Sequence, residues 1–252
     1  MMIRISVLLM VLMVTVFRLP AEEGPMEGSG QLVLVVADAW ESTVGTLTRL
    51  ECREREWKVL DSWPVTLGHR GLGWGLGLHP AGLPGPEKRE GDRRAPAGLF
   101  VLESAFGTKE RQSPAFPYRR TERADLWVDD PASSHYNQWV RSDDLPGPRD
   151  WKSAEVLHRE DGLYDLAVVV AHNRRPVVNG RGSAIFLHIW SAPGRSTVGC
   201  TAMAKARMRD LLGWLDASKR PLLAQVPRAA LSALALPDGV LAAFDAPAAS
   251  RR

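Results

Sequence analysis

The sequence has little cysteine, little histidine and little net charge. Of its 252 residues two are cysteine and six are histidine, and the formal charge is +3. The histidines show no paired ligand spacing such as H-x-x-x-H, so a metal site is not predicted. Because no run of lysine and arginine with interleaved aromatic residues occurs, nucleic-acid binding is poorly supported. The weak positive charge suits an anionic polymer as a partner instead.

The sequence also has no apolar run long enough to cross a membrane. The longest, residues 5–17, has 13 residues, whereas roughly 20 are needed to span a bilayer. Arg4 precedes this run and Leu19-Pro20-Ala21 ends it, so residues 1–21 read as a signal peptide rather than a retained anchor. Residues 22–30 are rich in Gly, Glu and Pro and are predicted to be a flexible leader. The protein is therefore expected to be exported, to the periplasm or cell envelope.

A glycine-rich stretch lacks the residues of a phosphate-binding loop. Residues 71–77 read GLGWGLG, but no Lys-Ser/Thr pair follows them and no helical pattern begins there. We expect instead a loop that lets the backbone approach a substrate, with Trp74 as a wall.

What the sequence does contain is a series of short apolar runs punctuated by Gly and Pro. This pattern predicts a mainly β single domain over residues 31–226, followed by an Ala- and Pro-rich tail, 227–252, that is partly helical or disordered. The predicted strands cover residues 31–37, 43–52, 57–67, 99–103, 126–128, 163–172, 184–189 and 221–225. The predicted loops cover residues 53–56, 80–96 and 106–120, the last of them lying over a cleft.

Residues 183–203 carry the most chemistry. His188 lies near the end of the apolar run 184–189, turn-forming residues occupy 192–196, and Cys200 follows. Apolar residues then recur at helical spacing, at Met208, Leu211, Leu212 and Leu215. Cys200 is therefore predicted at a junction between a loop and a helix.

Such a junction favours a reactive thiol. Only the thiolate attacks a carbonyl, and an ordinary thiol with a pKa of roughly 8.5 is mostly protonated at neutral pH. Free amides and the helix dipole would stabilise the anion, His188 would take the proton, and Gly199 would let backbone amides face an oxyanion. The pair alone leaves open the alternative of a buried cysteine and a structural histidine.

The segment resembles the catalytic core of the YkuD-type L,D-transpeptidases, whose signature is an upstream His and a Ser/Thr-His-Gly-Cys block. The matching residues are His188, Thr197, Gly199 and Cys200. The likeness is closest to a divergent branch and covers roughly residues 31–225, with further matches at 71–77, 90–102, 105–107, 127–137 and 161–164. Two residues depart from the family pattern: Val198 replaces a second His, and Ala202 replaces Asn or Arg.

The resemblance implies a single-domain, mainly β YkuD-like fold and an exported cysteine acyltransferase. Cys200 would attack the carbonyl of the third residue of a peptidoglycan stem peptide, usually a diamino acid, and release D-Ala. An amine of a neighbouring stem would then resolve the thioester into a 3–3 cross-link. His188 would be general base and acid, Gly199 would contribute to the oxyanion hole, and the loop at Thr197 would orient the imidazole.

The resemblance also implies a monomer without metal, organic cofactor or lasting membrane anchor. Tyr136 and Asn137 would line the donor pocket beside Trp74. The arginines at 174, 175 and 181 are expected near the cleft, where they either meet a substrate carboxylate or form a solvated loop. Two alternatives to transpeptidation stay open. One is hydrolysis by an L,D-carboxypeptidase or endopeptidase, and the other is a non-catalytic wall-binding domain with a vestigial Cys200.

Three further residues receive structural rather than catalytic assignments. Cys52 is expected to be a buried small apolar residue that is not disulfide-bonded to Cys200, since that bond would cap the nucleophile. His172 is expected to be a structural histidine at a strand end. The carboxylates of Asp129 and Asp130 are expected to form a turn in preference to a metal site.

Overall fold

The structure is a computed structural model and describes residues 24–145 and 147–246. The predicted signal peptide and the end of the predicted tail lie outside the described residues, so the signal peptide stays a prediction. The mainly β prediction is confirmed. In chain order the strands are β1 Gln31–Ala37, β2 Val44–Arg53, β3 Glu56–Thr66, β4 Leu72–Trp74, β5 Ala95–Gly107, β6 Tyr118–Arg120, β7 Asp125–Val128, β8 Trp139–Arg141, β9 Ala154–Val156, β10 Ala167–Val170, β11 Phe186–Ile189, β12 Thr201–Met203 and β13 Leu222–Pro227.

Eight of the strands close into a barrel. The order is β10-β11-β12-β3-β2-β1-β13-β5, and β5 pairs again with β10 to complete the ring. Most neighbours are antiparallel, whereas β1 with β13 and β11 with β12 are parallel. Closure leaves none of these eight strands with an open edge, which removes a common route to aggregation. The short strands β4 and β6 extend the sheet from β5.

Strand β1 lies between β2 and β13 in the barrel wall, and its sequence suits a fully buried strand. All seven residues of QLVLVVA are buried, as expected for a continuous β-branched and aliphatic run covered on both faces. The hairpin from β2 to β3 turns at Glu54 and Arg55, both with positive φ. Two successive positive φ values suit the right-handed twist of a tight hairpin, and they confirm the turn predicted at 53–56.

The predicted helix is confirmed as α1, Lys205–Trp214, but its start differs from the prediction. Met208, Leu211 and Leu212 are its buried residues, and a second helix, α2 Asp238–Asp245, follows near the end of the described chain. Between Cys200 and α1 the chain forms strand β12. Because Cys200 precedes a strand and not a helix, the predicted loop-to-helix junction is wrong, and a helix dipole cannot explain thiol activation.

The described parts of the predicted flexible leader and of the predicted partly helical or disordered tail pack on the barrel. In the leader, Met26 is buried and the Gly30 amide donates to the carbonyl of Lys219 at 2.7 Å. In the tail, Leu234 and Val240 are buried, and α2 lies against β3. The described parts of both segments therefore belong to the domain.

The loop predicted at 106–120 is only partly a loop. Strand β5 continues to Gly107, and β6, Tyr118–Arg120, pairs with it in parallel. A small sheet in the order β8-β7-β9 lies in the next part of the chain. A second apolar cluster, separate from the main core, joins this sheet to the barrel through Phe106, Trp127, Leu157, Tyr164, Ala167, Val169, Phe186 and Cys200.

No helix within the described ranges has the length and apolar character needed to cross a bilayer.

Candidate active site

His188 lies on strand β11, and Cys200 comes directly before the neighbouring parallel strand β12. Strand β11 pairs with β12 so that His188 is opposite Ala202, and Cys200 comes two residues before Ala202. Residues opposite each other on paired strands point to the same side, so Ala202 and His188 share one face of the sheet, and Cys200 lies just before its end. All three line one cavity of about 310 Å³, called here the Cys200 cavity. The structure thus places the two predicted catalytic side chains in the lining of one cavity.

The sulfur of Cys200 is held by two backbone groups. The amide of Phe186 donates to Sγ at 3.3 Å, and the thiol donates to the carbonyl of Ala184 at 3.4 Å. Ala184 has a φ of 51°, an uncommon conformation for a residue with a Cβ. Its amide donates to Oδ1 of Asn137 at 3.2 Å. This chain of contacts fixes the rotamer of the nucleophile before substrate arrives.

The imidazole of His188 has a defined tautomer. Its Nδ1 lies 2.8 Å from the carbonyl oxygen of Ile189, and a carbonyl only accepts, so Nδ1 carries the proton. Within residues 24–145 and 147–246 no protein group bonds to Nε2, which leaves its lone pair available as a base. Tyr164 packs edge-on against the ring with centroids 5.2 Å apart and limits its rotation.

Burial keeps both groups neutral at rest. It lowers the pKa of His188 to about 4, even though the bond to the Ile189 carbonyl opposes the shift. Burial likewise raises the pKa of the Cys200 thiol to about 12, against the opposing effect of the Phe186 amide. At pH 7 the resting pair is therefore thiol and imidazole. The expectation of a resting thiolate is wrong, because the sulfur is desolvated and has no helix terminus behind it.

Thr197 and Gly199 shape the loop before the nucleophile. The Thr197 hydroxyl donates to the carbonyl of Cys200 at 2.6 Å and accepts from the Gly199 amide at 3.2 Å. Thr197 therefore fixes the backbone at Cys200. It forms no hydrogen bond with the imidazole, which the sequence predicts this loop to orient. Since the Gly199 amide already has a partner, it is not a free oxyanion donor in this state. The Cys200 amide has no acceptor among the described residues and is the better candidate.

One wall of the Cys200 cavity is a group of residues that sequence analysis missed. The hydroxyl of Tyr164 donates to Oε1 of Glu155 at 3.0 Å, and Arg159 donates to the same oxygen at 2.9 Å. Arg159 also forms a double hydrogen bond with Asp161. The match at residues 161–164 pointed to this region. Residue type alone could not have identified Glu155, which comes from a separate strand.

The opposite wall carries Lys88, Glu90 and Gly91, and Asp129 also lines the cavity. Glu90 accepts hydrogen bonds from the hydroxyls of Tyr136 at 2.5 Å and Ser183 at 2.6 Å. Oδ1 of Asp129 is buried and has no partner among the described residues. The cavity thus combines an apolar floor around the sulfur with charged groups on its walls, as expected of a site for a polar peptide.

None of the four predicted substrate contacts lines the Cys200 cavity. Trp74 is buried against Trp40, and its indole donates to the carbonyl of Pro84. Asn137 bonds the backbone at 172, 173 and 184, Tyr136 holds Glu90, and Arg181 lies outside the cavity near Glu87. The prediction that they contact the substrate directly is therefore wrong for this cavity. Tyr136 and Asn137 support cavity residues from behind, and Trp74 fills the core.

Arg174 and Arg175 line a different cavity. Arg174 pairs with Glu103 at 3.2 Å and stacks over Trp127 at 4.8 Å. The second cavity, of about 490 Å³, is bordered by the glycine-rich loop and residues 173–176. Neither arginine lines the Cys200 cavity, so of the two alternatives for them, contact with a substrate carboxylate beside Cys200 is not supported.

The outer rim of the Cys200 cavity contains one of the departures from the family signature. Val198 is 78% exposed, so no imidazole stands there to contact substrate. Ala202 is completely buried beside His188. Cys52 and Cys200 are both free, and Cys52 is half-buried, whereas the sequence predicts a buried residue there.

The family of the chain follows from a comparison with known protein families. A model of the YkuD L,D-transpeptidase catalytic domain matches residues 46–226. No curated protein matches the chain. Among solved structures, the fold is similar to Bd1075 of Bdellovibrio bacteriovorus, with 15% identity, a TM-score of 0.39, and coverage of 79% of this chain. The chain spans 48% of that structure's length. The family match covers more than half of the sequence and includes both His188 and Cys200, and the chain belongs to the YkuD L,D-transpeptidase family.

Proposed function

We propose that the protein is an exported cysteine acyltransferase that joins peptidoglycan stem peptides through L,D 3–3 cross-links. The observation that carries the proposal is the placement of Cys200 and the unpaired Nε2 of His188 in one cavity. Membership of the YkuD family supports peptidoglycan as the polymer. The predicted signal peptide supports export to the periplasm or envelope.

The neutral resting pair determines how the reaction starts. As Cys200 Sγ approaches the carbonyl of the third stem residue, its proton passes to Nε2 of His188, so no free thiolate accumulates. The carbon–sulfur bond forms, and the carbonyl oxygen becomes an oxyanion beside the Cys200 amide. His188 then returns the proton to the departing D-Ala nitrogen, leaving a thioester. Attack by a second stem's amine releases the cross-linked product and the free thiol.

Two other outcomes use the same site. If water resolves the thioester, the protein is an L,D-carboxypeptidase or endopeptidase. If Cys200 does not attack the peptide, the domain binds cell wall without catalysis. The buried neutral thiol and Val198 at the rim favour this alternative.

The test incubates the protein without residues 1–21 with a disaccharide tetrapeptide and identifies the products by mass spectrometry. We expect cross-linked dimers and released D-Ala. Cys200→Ala should abolish both, since no other nucleophile replaces the sulfur. Tripeptide without dimers would replace transfer by hydrolysis. If the wild-type protein gives no product, both catalytic functions are contradicted, and the non-catalytic wall-binding domain is the alternative that remains.

A further inference from the structure

Lys88 is a buried lysine on the wall of the Cys200 cavity. Its side chain is 3% exposed, and the burial of a lysine to this extent requires a charged partner, which Asp92 provides. It lies close to the nucleophile loop: a Cβ placed on Gly199 would be 4.0 Å from Nζ. Because Glu90, Gly199 and Cys200 line the same space, the ammonium is part of the site and not of the distant core.

The ammonium is anchored on one side only. Nζ donates to Oδ1 of Asp92 at 2.6 Å and to the carbonyl of Arg89 at 2.7 Å. Asp92 in turn accepts from the backbone amides of Arg89 and Arg94, so it stays fixed in its turn. A lysine ammonium has three donors. The third N–H has no acceptor within residues 24–145 and 147–246.

The path of the side chain is also built into the fold. The stem of Lys88 crosses Gly182, where a Cβ would lie 3.0 Å from Cε. Gly182 has a φ of 97°, which a residue with a side chain rarely adopts. A larger residue at 182 would therefore displace the lysine from the cavity wall.

The other cations of the cavity are less buried than Lys88. Arg159 pairs with two carboxylates, Glu155 and Asp161, and a third of its side chain is exposed, whereas Arg195 is exposed at the rim. Among the cavity's cationic side chains Lys88 thus combines deep burial with an open donor. A buried cation with a free donor binds an anionic oxygen strongly, because water competes poorly there.

We infer that Lys88 is a specificity-determining residue that binds a carboxylate of the peptide substrate through its third N–H. This inference rests on the proposed function and adds the chemical group that the site recognises. Two carboxylates of a stem tetrapeptide qualify: that of the terminal D-Ala and the second carboxylate of the diamino residue. Both offer the same chemistry to the ammonium, and amidation of one at a time distinguishes them.

The test measures peptide binding by calorimetry to the Cys200→Ala protein, which does not consume the ligand. The probes are the free tetrapeptide and two forms amidated at either carboxylate. We expect amidation of the bound carboxylate to weaken binding about tenfold to a hundredfold, the effect of losing one charged hydrogen bond. Adding Lys88→Met should weaken the binding of the free peptide by the same factor and leave the binding of that amidated peptide unchanged. Adding Lys58→Met, which removes an exposed ammonium on β3, should change neither.

The acid-against-amide comparison separates recognition from a structural role. If neither amidation changes affinity by more than twofold, or if Lys88→Met weakens all three peptides alike, the inference is wrong. Absence of any peptide binding also overturns it. Should Lys88→Met fail to fold in a melting experiment, Lys88→Gln carries the same comparison while keeping a donor toward Asp92. Turnover by the wild-type protein is scored separately, so active protein without carboxylate preference refutes only the role of Lys88.

Discussion

His172 and His188 are both buried at the ends of neighbouring strands, yet they differ in how their nitrogens are used. Nδ1 of His172 accepts from the Leu76 amide at 3.1 Å, and Nε2 donates to the carbonyl of Arg181 at 2.9 Å. His188 has only its Nδ1 bonded, to the Ile189 carbonyl. Burial lowers the pKa of both, to about 3 for His172 and about 4 for His188. Burial and a low pKa therefore do not identify the base; an open nitrogen in a cavity does.

The largest expected effect is on catalysis, from His188→Gln. Without the imidazole nothing takes the thiol proton, and general-base catalysis contributes roughly a hundredfold to ten-thousandfold. We expect D-Ala release to fall by about that factor while the melting temperature changes little. Steady-state rates with a tetrapeptide, together with a thermal melt, check this. If the rate falls only in proportion to the loss of folded protein, His188 has a structural role and does not differ from His172 in function.

His172→Phe should do the opposite. It leaves the Leu76 amide and the Arg181 carbonyl without their ring partners in a buried place, and each unpaired group costs about 1–3 kcal/mol. We expect the free energy of unfolding to drop by roughly 2–6 kcal/mol, with the rate per folded molecule nearly unchanged. Urea unfolding and active-site titration measure the two quantities. A variant with native stability and a large loss of rate would show that His172 takes part in the chemistry.

Acid should act on both histidines, in a direction fixed by their lowered pKa values. The unfolded chain takes up protons near pH 6.5, whereas the folded chain resists until about pH 4 and 3. Stability is therefore complete above pH 6.5 and falls as the pH drops toward 3. Urea midpoints across this range should decline with acid, less steeply in His172→Phe. A midpoint that rises with acid would contradict the buried neutral state of both rings.

Catalysis should respond to acid only through His188. The base is lost when its ring is protonated, so the rate should hold between about pH 5 and 8 and fall near pH 4. Initial rates in buffers of constant ionic strength measure this. A half-maximal rate near pH 6.5 would indicate a solvent-exposed imidazole and remove the distinction drawn here.

The smallest effect is expected from Cys52→Ser. Cys52 is free and half-buried, and it pairs with Trp57 in the β2–β3 hairpin, outside the Cys200 cavity. The rate of D-Ala release should stay within about twofold, since surface substitutions away from special features rarely matter. A large loss would mean that the two cysteines cooperate.

The sequence predicted the parts of the molecule that depend on local pattern. The strand of His188, the helix face of Met208, Leu211 and Leu212, and the turn at 53–56 all follow from short-range spacing. The Cys200 and His188 pair came from spacing joined to a family resemblance. Closure of the barrel through β5 and β10 could not be predicted, because it depends on pairing between strands some sixty residues apart.

Side-chain surroundings were the least predictable feature. Glu155, Tyr164 and Lys88 reach the Cys200 cavity from three separate parts of the chain, and only the folded sheet brings them together. The sequence predicts that Tyr136 and Asn137 contact the substrate, whereas both support cavity residues from behind. Sequence order does not reveal which side chains line a cavity and which lie behind its lining. The sequence predicts an ionised thiol because the helical spacing after Cys200 does not reveal the short strand β12 that separates it from α1.

The proposed function requires Cys200 to react as an acyl acceptor with help from His188. The most direct measurement is the intact mass of the protein after exposure to a carbapenem, whose ring opens on a reactive thiol to give a stable thioester. We predict one adduct, located on Cys200 by peptide mapping, absent in Cys200→Ala and formed at least a hundredfold more slowly in His188→Gln. Wild-type protein that stays unmodified, or adducts that form equally fast without His188, would contradict the account.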